Sequence, residues 1–175
     1  EGVALVTARG GNVIGGGDYS ADRLVPDIVR ALSRNEPVVL RNPGATRPWQ
    51  HVLDCLDGYF TYLRGVATGR SLPPALNFGP AQGSPCLTVA VLSDAMLTAM
   101  GRPALHQLDP TTGPHEMATL RIDPELAGKV LPWNPRLNSD SMLRLTADWY
   151  AAQAAGQDTA ALTDAQIAQY QDLAP

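Results

Sequence analysis

The chain has 175 residues, 45% of them hydrophobic and 17% charged, which is enough to bury a proper core in one domain and too apolar for a disordered polypeptide. A formal net charge of -4 and a pI near 5.2 leave no basic excess, so a nucleic-acid backbone is not the expected partner. No apolar run reaches the roughly 18 residues of a membrane helix and no charged-then-apolar leader opens the chain, so the expectation is a soluble, cytoplasmic protein with no membrane partner.

Residues 3–7 (Val3, Ala4, Leu5, Val6, Thr7) form an apolar, partly β-branched run bounded by Gly10 and Gly11, and predict a strand buried on both faces. A chain that opens inside such a strand reads as a portion of a longer protein. The glycine-rich loop that follows, residues 9–18, has neither the GxGxxG nor the GxxxxGK[ST] spacing of the standard phosphate cradles. Its glycines can let a ligand approach the backbone, and Asn12 sits at the carboxyl end of the strand, where open α/β sheets bind ligands. Satisfying loop backbone groups is the competing role for Asn12.

Residues 22–34 carry Leu24, Val25, Ile28, Val29 and Leu32 on one stripe and predict an amphipathic helix with Ser20 or Asp22 as its cap. Arg23 falls in the first turn, where the helix dipole disfavours a cation unless an anion is bound. The chain returns as a strand at residues 37–40 and enters the stretch Arg41-Asn42-Pro43-Gly44-Ala45-Thr46-Arg47-Pro48-Trp49-Gln50-His51. Two guanidinium groups on a short, proline-stiffened loop suit fork-like recognition of phosphate or carboxylate, and predict an anion site centred on Arg47. The alternative is that Arg41 and Arg47 are solvated while Trp49 fills a core.

Val52, Leu56, Tyr59, Phe60 and Leu63 predict a second helix ending near Ala67, with His51 as a capping or packing residue. A strand over residues 75–80, a third helix from Val89 through Met100 stopped by Gly101, and strands at residues 105–108 and 119–122 follow. Asp123 and Pro124 open a short helix, Ser139 caps a longer one carrying Trp149 and Tyr150, and the Ala/Gln/Asp-rich tail from Gly156 suggests a last helix capped at Thr163. Cys55 and Cys86 have no CxxC or metal spacing and read as small buried hydrophobes. His106, His115 and Glu116 lack the spacing of a zinc motif, so no metal is expected.

The run from Val6 through Arg9-Gly10-Gly11-Asn12-Val13-Ile14-Gly15-Gly16-Gly17-Asp18 has companions in Asp22-Arg23-Leu24-Val25-Pro26-Asp27 and in the loop from Arg41 to Val52. Leu76-Asn77-Phe78-Gly79-Pro80, His115-Glu116, Trp133-Asn134-Pro135-Arg136 and Thr146-Ala147-Asp148-Trp149-Tyr150 complete the set. Together these motifs resemble the C-terminal half of the CDP-glucose 4,6-dehydratases, nucleotide-sugar enzymes of the extended short-chain dehydrogenase/reductase superfamily. The resemblance implies an α/β fold, the C-terminal part of a doubly wound NAD-binding sheet plus the smaller substrate-binding α/β domain. It assigns residues 1–155 to that substrate-binding portion and leaves 156–175 as a polar tail. It also implies that Asn12 and Arg47 meet the diphosphate of CDP-glucose and that Arg23 and Leu24 border the nucleotide. The base is then passed by the segment from Pro37 to Val39, with Asn77 and His115 on the nucleotide side and Arg9, Gly10 and Gly11 on the nicotinamide side.

The family's dinucleotide loop, its Tyr-x-x-x-Lys pair and its acid/base groups belong to the N-terminal half. Lys129, the sole lysine, does not follow a tyrosine at that spacing. The expectation is therefore an enzyme as the full-length parent, with NAD as cofactor and a homo-oligomer possible, and a chain that is inactive alone. A related epimerase or dehydratase, or a non-catalytic binding module, are the alternatives.

Overall fold

The computed structural model describes residues 3–104, 106–109 and 117–173. Among the described residues, six short strands pair as three parallel couples. β1 (Thr7–Gly10) lies beside β5 (Ala75–Phe78), β2 (Asn12–Ile14) beside β4 (Trp49–His51), and β3 (Val38–Leu40) beside β6 (His106–Leu108). Parallel neighbours need a crossover, and the helices supply it. These are α1 (Leu24–Arg34), α2 (Val52–Ala67), α3 (Val89–Ala99), α4 (Glu125–Val130), α5 (Ser139–Ala154) and α6 (Thr159–Gln171).

Two apolar clusters hold the elements. One joins β2, β3, α1, α3 and α5 through Ile14, Val25, Ile28, Leu40, Met96 and Tyr150. The other joins α2, β5 and α4 through Tyr62, Leu76, Phe78, Leu131 and Trp133, with Phe78 and Trp133 in an edge-to-face contact at 5.0 Å between ring centroids. The stripe read along α1 faces the first cluster, and Asn35 ends that helix in the left-handed region (φ 54).

Several expectations are corrected. The first strand begins at Thr7, not Val3, because its register starts where Thr7 meets Ala75; Val3 and Leu5 are 93% and 87% exposed. The predicted glycine-rich loop contains a strand, β2, and its glycines serve close packing against protein. A Cβ on Gly11 would lie 2.2 Å from the Pro48 carbonyl oxygen, and one on Gly16 would lie 2.1 Å from the Trp149 ring. The arginine loop likewise ends in a strand, β4, before α2 begins. Neither Ser20 nor Asp22 caps α1: Asp22 is turned into positive φ (59), Ser20 donates its N–H to Asp18 Oδ1, and Arg23 takes the cap position without a side-chain bond. Asn138, not Ser139, caps α5, and Asp158, not Thr163, caps α6. Thr119 makes only a bridge to Thr46, so residues 119–122 are no strand, and Cys86 is exposed.

The tail is tied into the body of the protein. Tyr170 is 4% exposed and its hydroxyl donates to Asp54 Oδ1 at 2.8 Å. Gln166 Nε2 donates to Leu145 O, and Trp149 Nε1 donates to Thr163 Oγ1.

Candidate functional site

Asn12 opens β2 opposite Trp49, and its N–H donates to Pro48 O at 2.8 Å, so the strand ladder itself sets Asn12 against the arginine loop. That loop is stitched on both sides. Val89 and Ala90, leading α3, donate to Ala45 O and Pro43 O at 2.9 Å, while Thr46 exchanges backbone bonds with Ala118 and Leu120. The leading N–H groups of a helix need acceptors, and here the loop supplies them. Arg47 leaves this fixed backbone with Nη1 donating to the carbonyls of Thr46 (3.0 Å) and Met117 (2.9 Å). A guanidinium oriented in this way loses little rotamer freedom on binding.

Asn12, Arg23, Leu24, Val39 and Arg47 all line one cleft of about 340 Å³. Its floor is the start of α1, where Arg23 offers no side-chain cap and Pro26 has no N–H. The N–H groups of Leu24 and Val25, on the same wall, therefore retain capacity for an anion. Its lining thus includes guanidinium groups, an amide and a helix N-terminus. It also includes Leu24, Val39 and Val89, apolar surfaces suited to a flat ring. Asp18 borders the cleft with its carboxyl held below the usual range, first by the bonds from Ser20 and further by the charges of Arg23 and Arg30.

The remaining sequence candidates lie elsewhere. Pro37 precedes β3 and Asn77 lies on β5, both off the cleft wall, and Arg9 Nη1 donates to Asn77 Oδ1 at 2.8 Å across the β1–β5 register. Around Gly10 a Cβ would sit within 3.2 Å of Tyr59 Oη, Cys55 Sγ and Gln50 Nε2. Protein atoms therefore lie close to the positions that side chains on Gly10 and Gly11 would take. His115 lies outside the described residues. Sequence reading left Asp22, Trp49 and Val89 out of the site, yet all three line the cleft, as does Arg41, the second guanidinium of the arginine loop.

A second cleft of about 460 Å³ backs onto the first and shares Arg47 and Trp49 with it. Asp54 is on its wall, 1% exposed, accepting from Arg136 N (2.7 Å), Leu137 N (3.3 Å) and Tyr170 Oη (2.8 Å). Burial raises its pKa against the pull of those bonds. His51, 2% exposed, accepts from Leu53 N at 3.2 Å through Nδ1, which caps α2 as expected and leaves the proton on Nε2. Burial alone pushes its pKa down to about 4.

The fold is that of the Rossmann-type nucleotide-sugar epimerases and dehydratases, as solved structures show. UDP-glucose 4-epimerase from Bifidobacterium longum in complex with NAD+ and UDP superimposes with a TM-score of 0.72 at 19% identity, covering 87% of this chain and 49% of that one. UDP-glucuronic acid 4-epimerase from Bacillus cereus gives 0.70 at 16% identity, over 87% and 46%. dTDP-glucose 4,6-dehydratase from Bacillus anthracis in complex with NAD gives 0.69 at 20% identity, also over 87% and 46%.

In sequence the chain is a relative of CDP-glucose 4,6-dehydratase from Salmonella typhimurium (strain LT2), 39% identical over 171 residues. The match takes in 97% of this chain and 47% of that enzyme, so the chain spans about half the length of the curated relative it matches. The resemblance drawn from the motifs thus holds along nearly the whole chain. No family model matches it.

Proposed function

We propose that this chain is the nucleotide-sugar-recognising portion of a cytoplasmic CDP-glucose 4,6-dehydratase-like lyase in deoxysugar biosynthesis. The observation that carries the reading is the convergence of Asn12, Arg23 and Arg47 on one cleft that also has an apolar wall. In this reading the two guanidinium groups, the amide and the N-terminus of α1 neutralise and orient the diphosphate, while Leu24 and Val39 flank the base. The role of these residues is positioning: they hold the sugar in register with reactive groups supplied by the rest of the parent enzyme.

The parent's reaction is oxidation at C4, loss of water across C5 and C6, and return of the hydride. NAD is the cofactor that the resemblance implies for the parent, and the chain has no Tyr-x-x-x-Lys pair. No step is therefore assigned to its residues, and the chain alone is expected to bind without turnover.

Calorimetric titration of the 175-residue chain with CDP-glucose tests the reading. Binding should weaken by about thirtyfold in Arg47→Ala, the loss expected for charge-assisted bonds to a phosphate. Heats that the substitution leaves unchanged would count against the clamp.

A further inference from the structure

Helix α2 buries one face and leaves the opposite one bare. Asp54, Gly58, Thr61, Tyr62 and Gly65 are buried, and the helix packs against β2, β4 and β5. Half a turn round, Leu56, Phe60 and Leu63 are 40%, 65% and 59% exposed. Single exposed leucines are ordinary, but large apolar side chains at i, i+4 and i+7 form a continuous stripe, the mark of a face that meets another polypeptide. Asp57 and Arg64, two turns apart, lie together along one flank of that stripe. Arg64 is exposed and makes no ion pair among the described residues. Asp57 Oδ2 is 3.6 Å from Arg136 Nη2 of its own chain, which leaves the carboxylate able to accept from a second guanidinium.

The stripe is complementary to itself. When the helix is laid antiparallel on a copy about a two-fold axis beside Phe60, residues equally far before and after Phe60 face each other. To within one residue, Leu56 then meets Leu63 of the second copy, Phe60 meets its equivalent, and Asp57 meets Arg64. A two-fold axis keeps each flank on its own side, so the acid and the base fall on the same rim and pair twice. A polypeptide of another sequence could cover the leucines, but the matched offsets of acid and base belong to this helix against itself.

We propose that α2 is a self-association face, through which two copies of this chain pack antiparallel about Phe60. The inference is independent of the nucleotide reading of the cleft. The stripe is short, so the affinity expected is in the micromolar range.

Sedimentation velocity of the 175-residue chain across a concentration series tests it, with circular dichroism checking the fold of each variant. Wild type should pass from monomer to dimer. Phe60→Glu should weaken the dimer by at least about a hundredfold, because it removes the central contact and sets two like charges together. Asp57→Lys and Arg64→Glu, each alone, place like charges on the rim and should weaken it by about tenfold. Mixing these two variants should restore association to about the wild-type level. In the mixture each introduced lysine faces an introduced glutamate, and the native Asp57 of one chain faces the native Arg64 of the other.

A chain that stays monomeric at every concentration, its α2 face left to another polypeptide, overturns the proposal. So do larger species without a defined dimer, a dimer that survives Phe60→Glu, or a mixture that shows no recovery. Should Asp57→Lys fail to fold, Phe60→Glu and Arg64→Glu decide: a weakened dimer in both supports the face, and an unchanged dimer in either overturns it.

Discussion

Arg136 and Arg47 are the same side chain in contrasting settings. Arg136 stacks 4.9 Å from the centre of the Tyr170 ring, donates through Nη1 to the carbonyls of Tyr170 and Leu173, and brings Nη2 to 3.6 Å from Asp57. Its backbone N–H joins Leu137 N–H and Tyr170 Oη on the Asp54 carboxylate, so this region binds α6 to α2 through a carboxylate that is 1% exposed and held by three protein donors. Arg47 is steadied by carbonyls of its own loop and of Met117, but it stands on the walls of two clefts. A cation surrounded by its own fold stabilises that fold. One held in place at a cleft wall can meet a ligand. The two regions should therefore respond differently to substitution, one in stability and the other in affinity.

The largest expected effect on stability is at Asp54. Asp54→Ala leaves one buried and two half-buried donors without their acceptor and should cost about 4 kcal/mol in denaturant unfolding, with nucleotide affinity of the folded chain unchanged. A cost below about 1 kcal/mol would show that the network does not secure α6, and the contrast with Arg47 would break.

The next effect is acid sensitivity through His51. Its folded-state pKa, about 4, lies below the ordinary 6.5, so the unfolded chain takes up a proton first. Stability from this group is complete above about pH 6.5 and falls as pH drops towards 4, by at most about 3 kcal/mol. Asp54, with a raised pKa, works in the opposite sense, since its protonation favours the folded state. Comparing denaturant midpoints of wild type and His51→Gln across that window isolates the histidine, and parallel curves would remove it as the cause.

The smallest effect concerns the glycine run that follows β2. Gly16→Ala pushes a methyl into Trp149 and should lower stability by about 2 kcal/mol with a change in tryptophan fluorescence. Gly44→Ala, with nothing within 4 Å of the added carbon, should be nearly neutral. Equal effects at the two positions would mean that the glycine run is not packed as described.

Much of this was legible along the chain. The period of α1, the reach of α2 from Val52 to Ala67, the strand at Ala75 and the stop at Gly101 follow from local pattern, because side-chain periodicity and turn chemistry act over a few residues. The stiffness of the arginine loop was readable from Pro43 and Pro48, whereas its stitching to Val89, Ala90 and Ala118 was not. Asn12 looked like a loop residue because Gly10 and Gly11 suggest a break, and β2 exists only because Pro48 and Trp49 come alongside.

The sequence by itself determined the helices, the charge, the cation-bearing loop and the kinship with nucleotide-sugar enzymes. Tertiary structure alone decided which cations share a cleft, that Arg41 and Asp22 meet across it, and that the polar tail is bound to the core through Tyr170 and Asp54. The reason is distance along the chain. Periodicity and capping are settled between residues three or four apart, but a cleft wall and a buried carboxylate are assembled from segments far apart in sequence, whose meeting no local pattern encodes.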